Sequence, residues 1–475
     1  MNINSFLNIK HKIILFLILI IQTNSQSFIS IINGDSNDGK NNYYTTLYLG
    51  ESKKPQNFLL DTLGSIISSP CHLYSSSTSY LNMMNEVTKE KDIINCQNDT
   101  CSNFSYSSCI NEQCNFEYNY NNSTIKGIYA NKYISFLQEE ESHIFPFGCS
   151  VSQTNEFLTK NTYGILGLNS NENSIINILY KKKIIKKNLF SICINQNEGG
   201  YLYFGQINEE YHSNKQKDKN KNMLINYMPF TLSENGFYTL SMSSLNIEDS
   251  KNILNSNTNC IIDSLSVKSY LTDSIYNIFI NEFLLKCLKK KGNCNNIQKV
   301  EGLGYCSTFK SKQNILKSIN KYWPKITLGF NGYNHILSPI NYFIIYSLLG
   351  KINACVGFEK TDKNYNILGT TFLKGYDVIF DNEDKKIGLI ESNCDIKIKN
   401  IKKTELNEEY MNRVFDDPVN IIIVCISIGG IIILALVLYV LYREFYNKRI
   451  KRKGYIRQVD VVNPNNTFEE NKNNT

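Results

Sequence analysis

Leu59-Leu60-Asp61-Thr62-Leu63-Gly64-Ser65 returns as Ile261-Ile262-Asp263-Ser264-Leu265-Ser266-Val267, 202 residues further on (263 − 61). In each copy a run of branched apolar residues ends on an aspartate, a small hydroxyl residue and a leucine. A second pair keeps the same offset, Ile165-Leu166-Gly167 and Ile367-Leu368-Gly369. Each aspartate therefore meets its Ile-Leu-Gly after 106 residues (167 − 61 and 369 − 263). A lone Asp-Thr after an apolar strand ordinarily starts a turn. Duplication of both motif and spacing points instead to two related lobes, each offering one carboxylate.

If a pseudo-twofold axis brings Asp61 and Asp263 together, like charges at close range keep one of them protonated. The pair then holds a general acid and a general base at once, and a water between them can attack an amide. Such a titration belongs to the dyad as a whole.

At these residues the chain resembles the pepsin-like aspartic proteases, most closely the membrane-anchored plasmepsin V type, over about residues 40–396. Tyr43-Tyr44-Thr45-Thr46-Leu47-Tyr48-Leu49-Gly50, then Phe58-Leu59-Leu60-Asp61-Thr62, is similar to the strand that leads into the family's first active-site loop. Tyr120, before Gly127-Ile128-Tyr129, stands where the family's flap tyrosine would be. Gly199-Gly200-Tyr201-Leu202-Tyr203-Phe204-Gly205 and Phe237-Tyr238-Thr239-Leu240 look like strands joining the lobes. The block from Ile367 through Thr370, Thr371, Phe372 and Leu373 to Tyr376, Val378-Ile379-Phe380-Asp381 and Ile387-Gly388-Leu389 is similar to the C-terminal signature. The resemblance implies a mostly β, bilobal pepsin-like fold, a catalytic pair Asp61 and Asp263, and crossed hydrogen bonds from Thr62 and Ser264 that hold the loops together. It implies an aspartic-type endopeptidase that hydrolyses peptide bonds, with Tyr120 closing over a polypeptide substrate and no cofactor.

The departures bear on activity. The family pattern is Asp-Thr/Ser-Gly, yet Leu63 and Leu265 occupy the glycine positions. A side chain there resists the close backbone approach that glycine permits. Gly64 replaces a serine that bonds the outer oxygen of the first aspartate, whereas Ser266 keeps that role in the second loop. Val267 replaces a hydroxyl residue, and Asn121-Asn122-Ser123-Thr124 takes the place of a glycine-rich flap tip. Two functions follow: a protease weakened by the leucines, or an inactive relative that binds peptide as a receptor or chaperone.

The ends of the chain address it to a membrane. Residues 1–25 carry Lys10 and Lys12, a short apolar run at 13–21 and small residues before Gln26, the form of a secretory signal peptide; a retained signal anchor is the alternative. Residues 421–441 hold no charge and as a helix would reach about 31 Å, close to the hydrocarbon thickness. Arg443, Lys448, Arg449, Lys451, Arg452 and Lys453 follow, which places that end in the cytoplasm. The expected layout is signal 1–25, N-terminal lobe 40–198, C-terminal lobe 199–396, charged stalk 397–418, transmembrane helix 419–442 and basic tail 443–475. This is a type I protein of the secretory pathway or cell surface, expected to be a monomer. After Leu441 eight basic residues face four acidic ones, so topology accounts for most of the formal net charge of +7, and no nucleic-acid partner is implied.

Of the 14 cysteines, Cys425 lies in the expected span, which leaves 13 outside it, an odd number. Up to six disulfides and one free thiol is the natural accounting for a secreted protein. Cys96, Cys101, Cys109 and Cys114 cluster between the first aspartate and the flap, as in the cysteine-rich insert of plasmepsin V and nepenthesin-type relatives. By the same resemblance Cys193 and Cys394 tie the end of one lobe to the end of the other. A zinc site is the alternative for the cluster, but it lacks nearby histidines and no metal is expected. Five histidines and no H-E-x-x-H, G-x-S-x-G or P-loop pattern leave other hydrolase chemistries unsupported, and His72 reads as a surface residue. Sequons stand at Asn98, Asn103, Asn121 and Asn122; the last two fall on the expected flap and should be mostly unmodified. Helical periodicity is clear at 174–183 and 271–287. An Asn/Lys-rich segment at 213–222 reads as a solvated loop.

Overall fold

The 106-residue spacing is the register of a parallel strand pair. In the computed structural model the strand Lys54–Asp61 runs parallel to Gly164–Gly167, with Leu59 opposite Ile165, Leu60 opposite Leu166 and Asp61 opposite Gly167. The second copy repeats this: Thr258–Ile262 runs parallel to Asn366–Leu368, with Ile261 opposite Ile367 and Ile262 opposite Leu368. Parallel neighbours need a long crossover, and each lobe's intervening chain supplies it. Parallel strands covered on both faces read as unbroken apolar runs, which is why both motifs begin with Leu-Leu or Ile-Ile. The glycine that ends each Ile-Leu-Gly is demanded by proximity. A Cβ at Gly167 would lie 2.5 Å from Ile66 N and from the Ser65 carbonyl carbon. At Gly369 a Cβ would meet the Lys268 and Ser266 carbonyl oxygens.

The structure describes residues 27–34, 43–73, 87–88, 90–96, 101–102, 104–138, 140–154, 157, 164–196, 199–207, 225–289, 293–309, 315–348 and 351–394. The signal segment, stalk, apolar stretch 421–441, basic tail, Asn/Lys-rich segment 213–222 and sequons at Asn98 and Asn103 lie outside them. Among the described residues no helix is long and apolar enough to cross a membrane.

One antiparallel sheet joins the two lobes. Its strands run in the order Phe28–Asn33, Gly200–Phe204, Leu189–Ile194, Tyr376–Asp381, Lys386–Glu391, Asn226–Leu232. The two central strands come one from each lobe, and each is followed outward by its own hairpin partner, so the sheet has the pseudo-twofold character that the duplication implies. Phe190 and Phe380 face each other across that centre, their rings parallel within 2° and their centroids 4.5 Å apart. Gly200–Phe204 pairs with Phe28–Asn33 and Leu189–Ile194 in that sheet, so the strand that crosses to the other lobe is Leu189–Ile194, while Tyr238–Ile247 continues from Asn226–Leu232 and pairs with Thr258–Ile262 and Ile326–Phe330. Both lobes lie in one compact unit, residues 1–396.

Helices are few. Ile175–Lys181 follows the first Ile-Leu-Gly. Asp273–Leu288 follows the Asp263 loop, burying Tyr276, Phe279, Ile280, Phe283 and Cys287. The latter helix starts two residues later than its apolar periodicity suggests, because Leu271 and Thr272 end the strand Ser269–Thr272, which pairs parallel with Phe358–Thr361. Helical and strand patterns share apolar positions there, and pairing decides between them.

Six disulfides form among the described residues: Cys71–Cys149, Cys96–Cys109, Cys101–Cys114, Cys193–Cys394, Cys287–Cys294 and Cys306–Cys355. Among the described residues Cys260 is the free thiol, buried on the strand that leads into Asp263. The cysteine cluster before the flap is thus spent on two crosslinks, and Cys193–Cys394 ties the first lobe's central strand to the end of the second.

Replacing Gly167 by Ala should cost about 2 kcal/mol or more, since backbone atoms cannot yield as a side-chain tip would. Denaturant unfolding of Gly167→Ala checks this; a midpoint unchanged from wild type would mean that the loop does not press on this strand.

Candidate active site

Four hydrogen bonds cross between the duplicated loops. Thr62 N donates to Ser264 Oγ at 3.0 Å, and Ser264 N donates to Thr62 Oγ1 at 3.0 Å. Thr62 Oγ1 in turn donates to the Ile262 carbonyl at 2.8 Å, and Ser264 Oγ to the Leu60 carbonyl at 2.6 Å. Each hydroxyl so accepts from one lobe-crossing amide and donates to one lobe-crossing carbonyl. Both residues are buried, and such groups must find partners within the protein. Asp61 and Asp263 directly precede them, so the lock that holds the hydroxyls also fixes the carboxyls.

Asp61 is fully buried and Asp263 is 2% exposed. Asp61 Oδ1 accepts from the amides of Leu63 and Gly64, each at 2.9 Å, and Asp263 Oδ1 from the amide of Leu265 at 2.9 Å. The outer oxygens are met by hydroxyls. Tyr118 donates to Asp61 Oδ2 at 2.6 Å; Ser266 at 2.6 Å and Tyr120 at 2.9 Å both donate to Asp263 Oδ2. Burial pushes the Asp61 carboxyl up to about 6; the Tyr118 hydrogen bond opposes that rise, and the negative charge of Asp263 adds to it. Asp263 is also raised by burial, against the hydrogen bonds of Ser266 and Tyr120.

Both tyrosines come from the flap. The strands Gln113–Tyr120 and Ser123–Ser135 form a hairpin in which Tyr120 pairs with Ser123, leaving Asn121-Asn122 as a two-residue turn. Asn121 has φ +50°, a left-handed conformation that asparagine tolerates, so the tip turns without glycine. Side chains alternate along the first strand, with Cys114, Phe116, Tyr118 and Tyr120 turned inward.

Leu63 and Leu265 are each 8% exposed and pack in one apolar cluster with Tyr118, Tyr120, Phe157, Ile165 and Ile261. The leucines thus lie beneath the flap and help to dehydrate the carboxyls. The Leu63 carbonyl accepts from Asn169 Nδ2 at 2.9 Å. Beside Ser266 and the flap tip opens a pocket of about 610 Å³, whose lining includes Asn121, Tyr270, Asp273, Lys360 and Ile367. It is mixed in charge, with Lys360 Nζ 3.5 Å from Asp273.

The structure brings together Asp61, Asp263, Thr62, Ser264, Ser266, Tyr120, Leu63 and Leu265, all of which the sequence singles out. Cys101 and Cys114 belong to the same apolar cluster as Tyr118, and Cys96 packs against it. Cys193 and Cys394 form a separate small cluster with Tyr201 and Tyr203. Tyr118 and Asn169 are functional candidates that sequence reasoning misses. Tyr118 was within reach, because strand alternation puts residue 118 on the face of Tyr120. Nothing in the sequence marks Asn169.

Residues 43–206 match the family model described as Xylanase inhibitor N-terminal, and residues 237–390 match Xylanase inhibitor C-terminal. The chain is 23% identical to plasmepsin V of Plasmodium falciparum (isolate 3D7), over 88% of its own length and 83% of the relative's. It is 21% identical to aspartic proteinase-like protein 1 of Arabidopsis thaliana, over 74% and 67% of the respective lengths. The crystal structure of basic 7S globulin from soybean shares the fold, with a TM-score of 0.57 at 16% identity, covering 78% of this chain and 95% of that one.

The raised carboxyls make stability depend on pH. A carboxyl whose folded value lies above its ordinary 3.8 contributes stability that is fully present below that value and is lost as pH rises through about 6. Wild-type thermal melts should therefore weaken between about pH 4 and pH 7. Asp61→Asn cannot ionise and should flatten that limb, gaining on the order of 2–3 kcal/mol at neutral pH. Equal pH slopes for the two proteins would contradict the burial of this charge.

Proposed function

The chain belongs to the pepsin-like aspartic protease family, and from that premise we propose that it is a membrane-anchored aspartic endopeptidase. The observation that supports this is the crossed set of hydrogen bonds between the loops of Thr62 and Ser264, the residues that directly follow Asp61 and Asp263. In the proposed reaction the ionised carboxylate takes a proton from water as its oxygen attacks the substrate carbonyl carbon. The protonated partner gives its proton to the carbonyl oxygen. Collapse of the tetrahedral intermediate breaks the C–N bond, with the proton taken from water delivered to the leaving nitrogen while one hydroxyl of the gem-diol returns its proton to the partner carboxylate, which restores the dyad. Tyr120, bonded to Asp263 Oδ2, closes the flap over the substrate.

A second reading, an inactive peptide-binding receptor or chaperone with the same cleft, is favoured by Leu63 and Leu265. Glycine would leave the cleft floor open at both positions, whereas these side chains fill it under the flap. The anchor rests on the sequence alone: a signal at 1–25, a span within 419–442 and the basic tail 443–475 describe a type I protein whose lobes and disulfides face the lumen or the exterior.

Purified protein should cleave a peptide library slowly at mildly acid pH, and Asp61→Asn or Asp263→Asn should abolish cleavage, since an amide cannot share the dyad's proton. Leu63→Gly combined with Leu265→Gly should raise turnover if the leucines obstruct substrate. If wild type and both Asn variants are equally inert while peptides still bind, the receptor reading holds. No gain in the folded glycine double variant would remove the leucines as the cause of weak activity.

Topology is tested separately. Protease added outside intact vesicles should trim only the short tail and leave a disulfide-bonded ectodomain protected. Digestion of most of the chain would overturn the type I arrangement.

A further inference from the structure

The duplicated loops differ at one chemically important position. Three residues after its aspartate the second loop has Ser266, whose Oγ donates to Asp263 Oδ2 at 2.6 Å. The first loop has Gly64 there, with no side chain to donate. Asp61 Oδ2 nevertheless receives a hydroxyl at the same 2.6 Å, from Tyr118. The space is exclusive. A Cβ at Gly64 would lie 2.5 Å from Asp61 Oδ2 and 3.3 Å from Tyr118 Cζ, so a serine and the phenol cannot both stand there undisturbed. We infer that Tyr118 is the positioning residue of Asp61, a donor brought in from the flap strand to the place that Ser266 fills beside Asp263.

Its surroundings suit that role. The Tyr118 ring meets Tyr106 edge-on at 4.9 Å and lies 6.1 Å from Phe157, so packing sets the direction of its hydroxyl. Burial and the charge of Asp61 hold that hydroxyl far above the ordinary phenol range, which keeps it protonated and able to donate at acid and neutral pH. The titratable groups that face Asp61 are Asp263 across the junction, Tyr118 from the flap strand and Tyr106 from the turn before the hairpin; Tyr120 bears on Asp263. One consequence separates the two carboxyls. Asp263 takes Tyr120 from the flap as well, but it keeps Ser266 of its own loop whatever the flap does. The donor to Asp61 stands two residues from the flap turn, so flap position controls how readily Asp61 ionises.

This role rests on the dyad reading above, so its test reads titration as well as hydrolysis. In the full-length chain, the difference between thermal melts of Asp61 and Asp61→Asn forms, followed against pH, gives the midpoint at which Asp61 ionises. Tyr118→Phe should move that midpoint up by about one pH unit, a tenfold change in proton affinity, because a donor to the charged form is lost while burial remains. The acid limb of kcat/KM should move in the same direction. Tyr118→Val should raise the midpoint likewise, since it too removes the donor. An unchanged midpoint in folded Tyr118→Phe overturns the assignment. Should Tyr118→Phe fail to fold, Tyr118→Val decides in the same way. A wild type that cleaves nothing would sink the endopeptidase reading, while the midpoint shifts would still judge Tyr118.

Discussion

The crossed hydrogen bonds of Thr62 and Ser264 are the constraint on which the rest of the site depends. Four bonds link atoms 200 to 204 residues apart in sequence, all of them buried. Each of the four groups has a hydrogen bond to the other lobe's loop, and losing a hydrogen bond from a buried polar group costs about 1–3 kcal/mol. The six-stranded sheet between the lobes sets the coarse distance, with Phe190 stacked on Phe380 at its centre. The crossed bonds then fix the loops to within hydrogen-bond tolerance, and the two aspartates follow because each immediately precedes its hydroxyl residue.

Around that lock the chain removes water more thoroughly than it adds charge. No cation appears among the causes that set either carboxyl's proton affinity; the counterweights to burial are hydroxyls and amides. Dipoles of this kind orient a carboxylate and stabilise it partially, leaving its proton affinity raised. Leu63 and Leu265, each 8% exposed, lie in the same apolar cluster as Tyr118 and Tyr120.

Much of this was legible because the decisive signals are long-range repeats. The Asp-to-Gly interval of 106 residues survives as strand register in both lobes. The odd cysteine count outside the apolar span predicted one unpaired thiol, and Cys260 is that residue. Connectivity was less legible, because spacing alone does not say which sulfur meets which. Cys71 with Cys149, for example, is joined through the parallel pairing of Ile67–Pro70 with His143–Gln153, which no local pattern announces. Tyr118 is marked in the sequence only by its alternation with Tyr120, and the missing hydroxyl at Gly64 does not point to the strand that supplies a replacement. Asn169 depends on a backbone carbonyl's position and has no sequence signature.

A double-mutant cycle across the lobe junction tests the central claim most directly. Denaturant unfolding of Thr62→Val, Ser264→Ala and the double variant measures whether the two hydroxyls act as one structure. The account predicts non-additivity on the order of 1–3 kcal/mol, because the first substitution already breaks the reciprocal bonds that the second would remove. Additivity within about 0.5 kcal/mol would mean that the loops are held independently, and that Asp61 and Asp263 are neighbours without being one device.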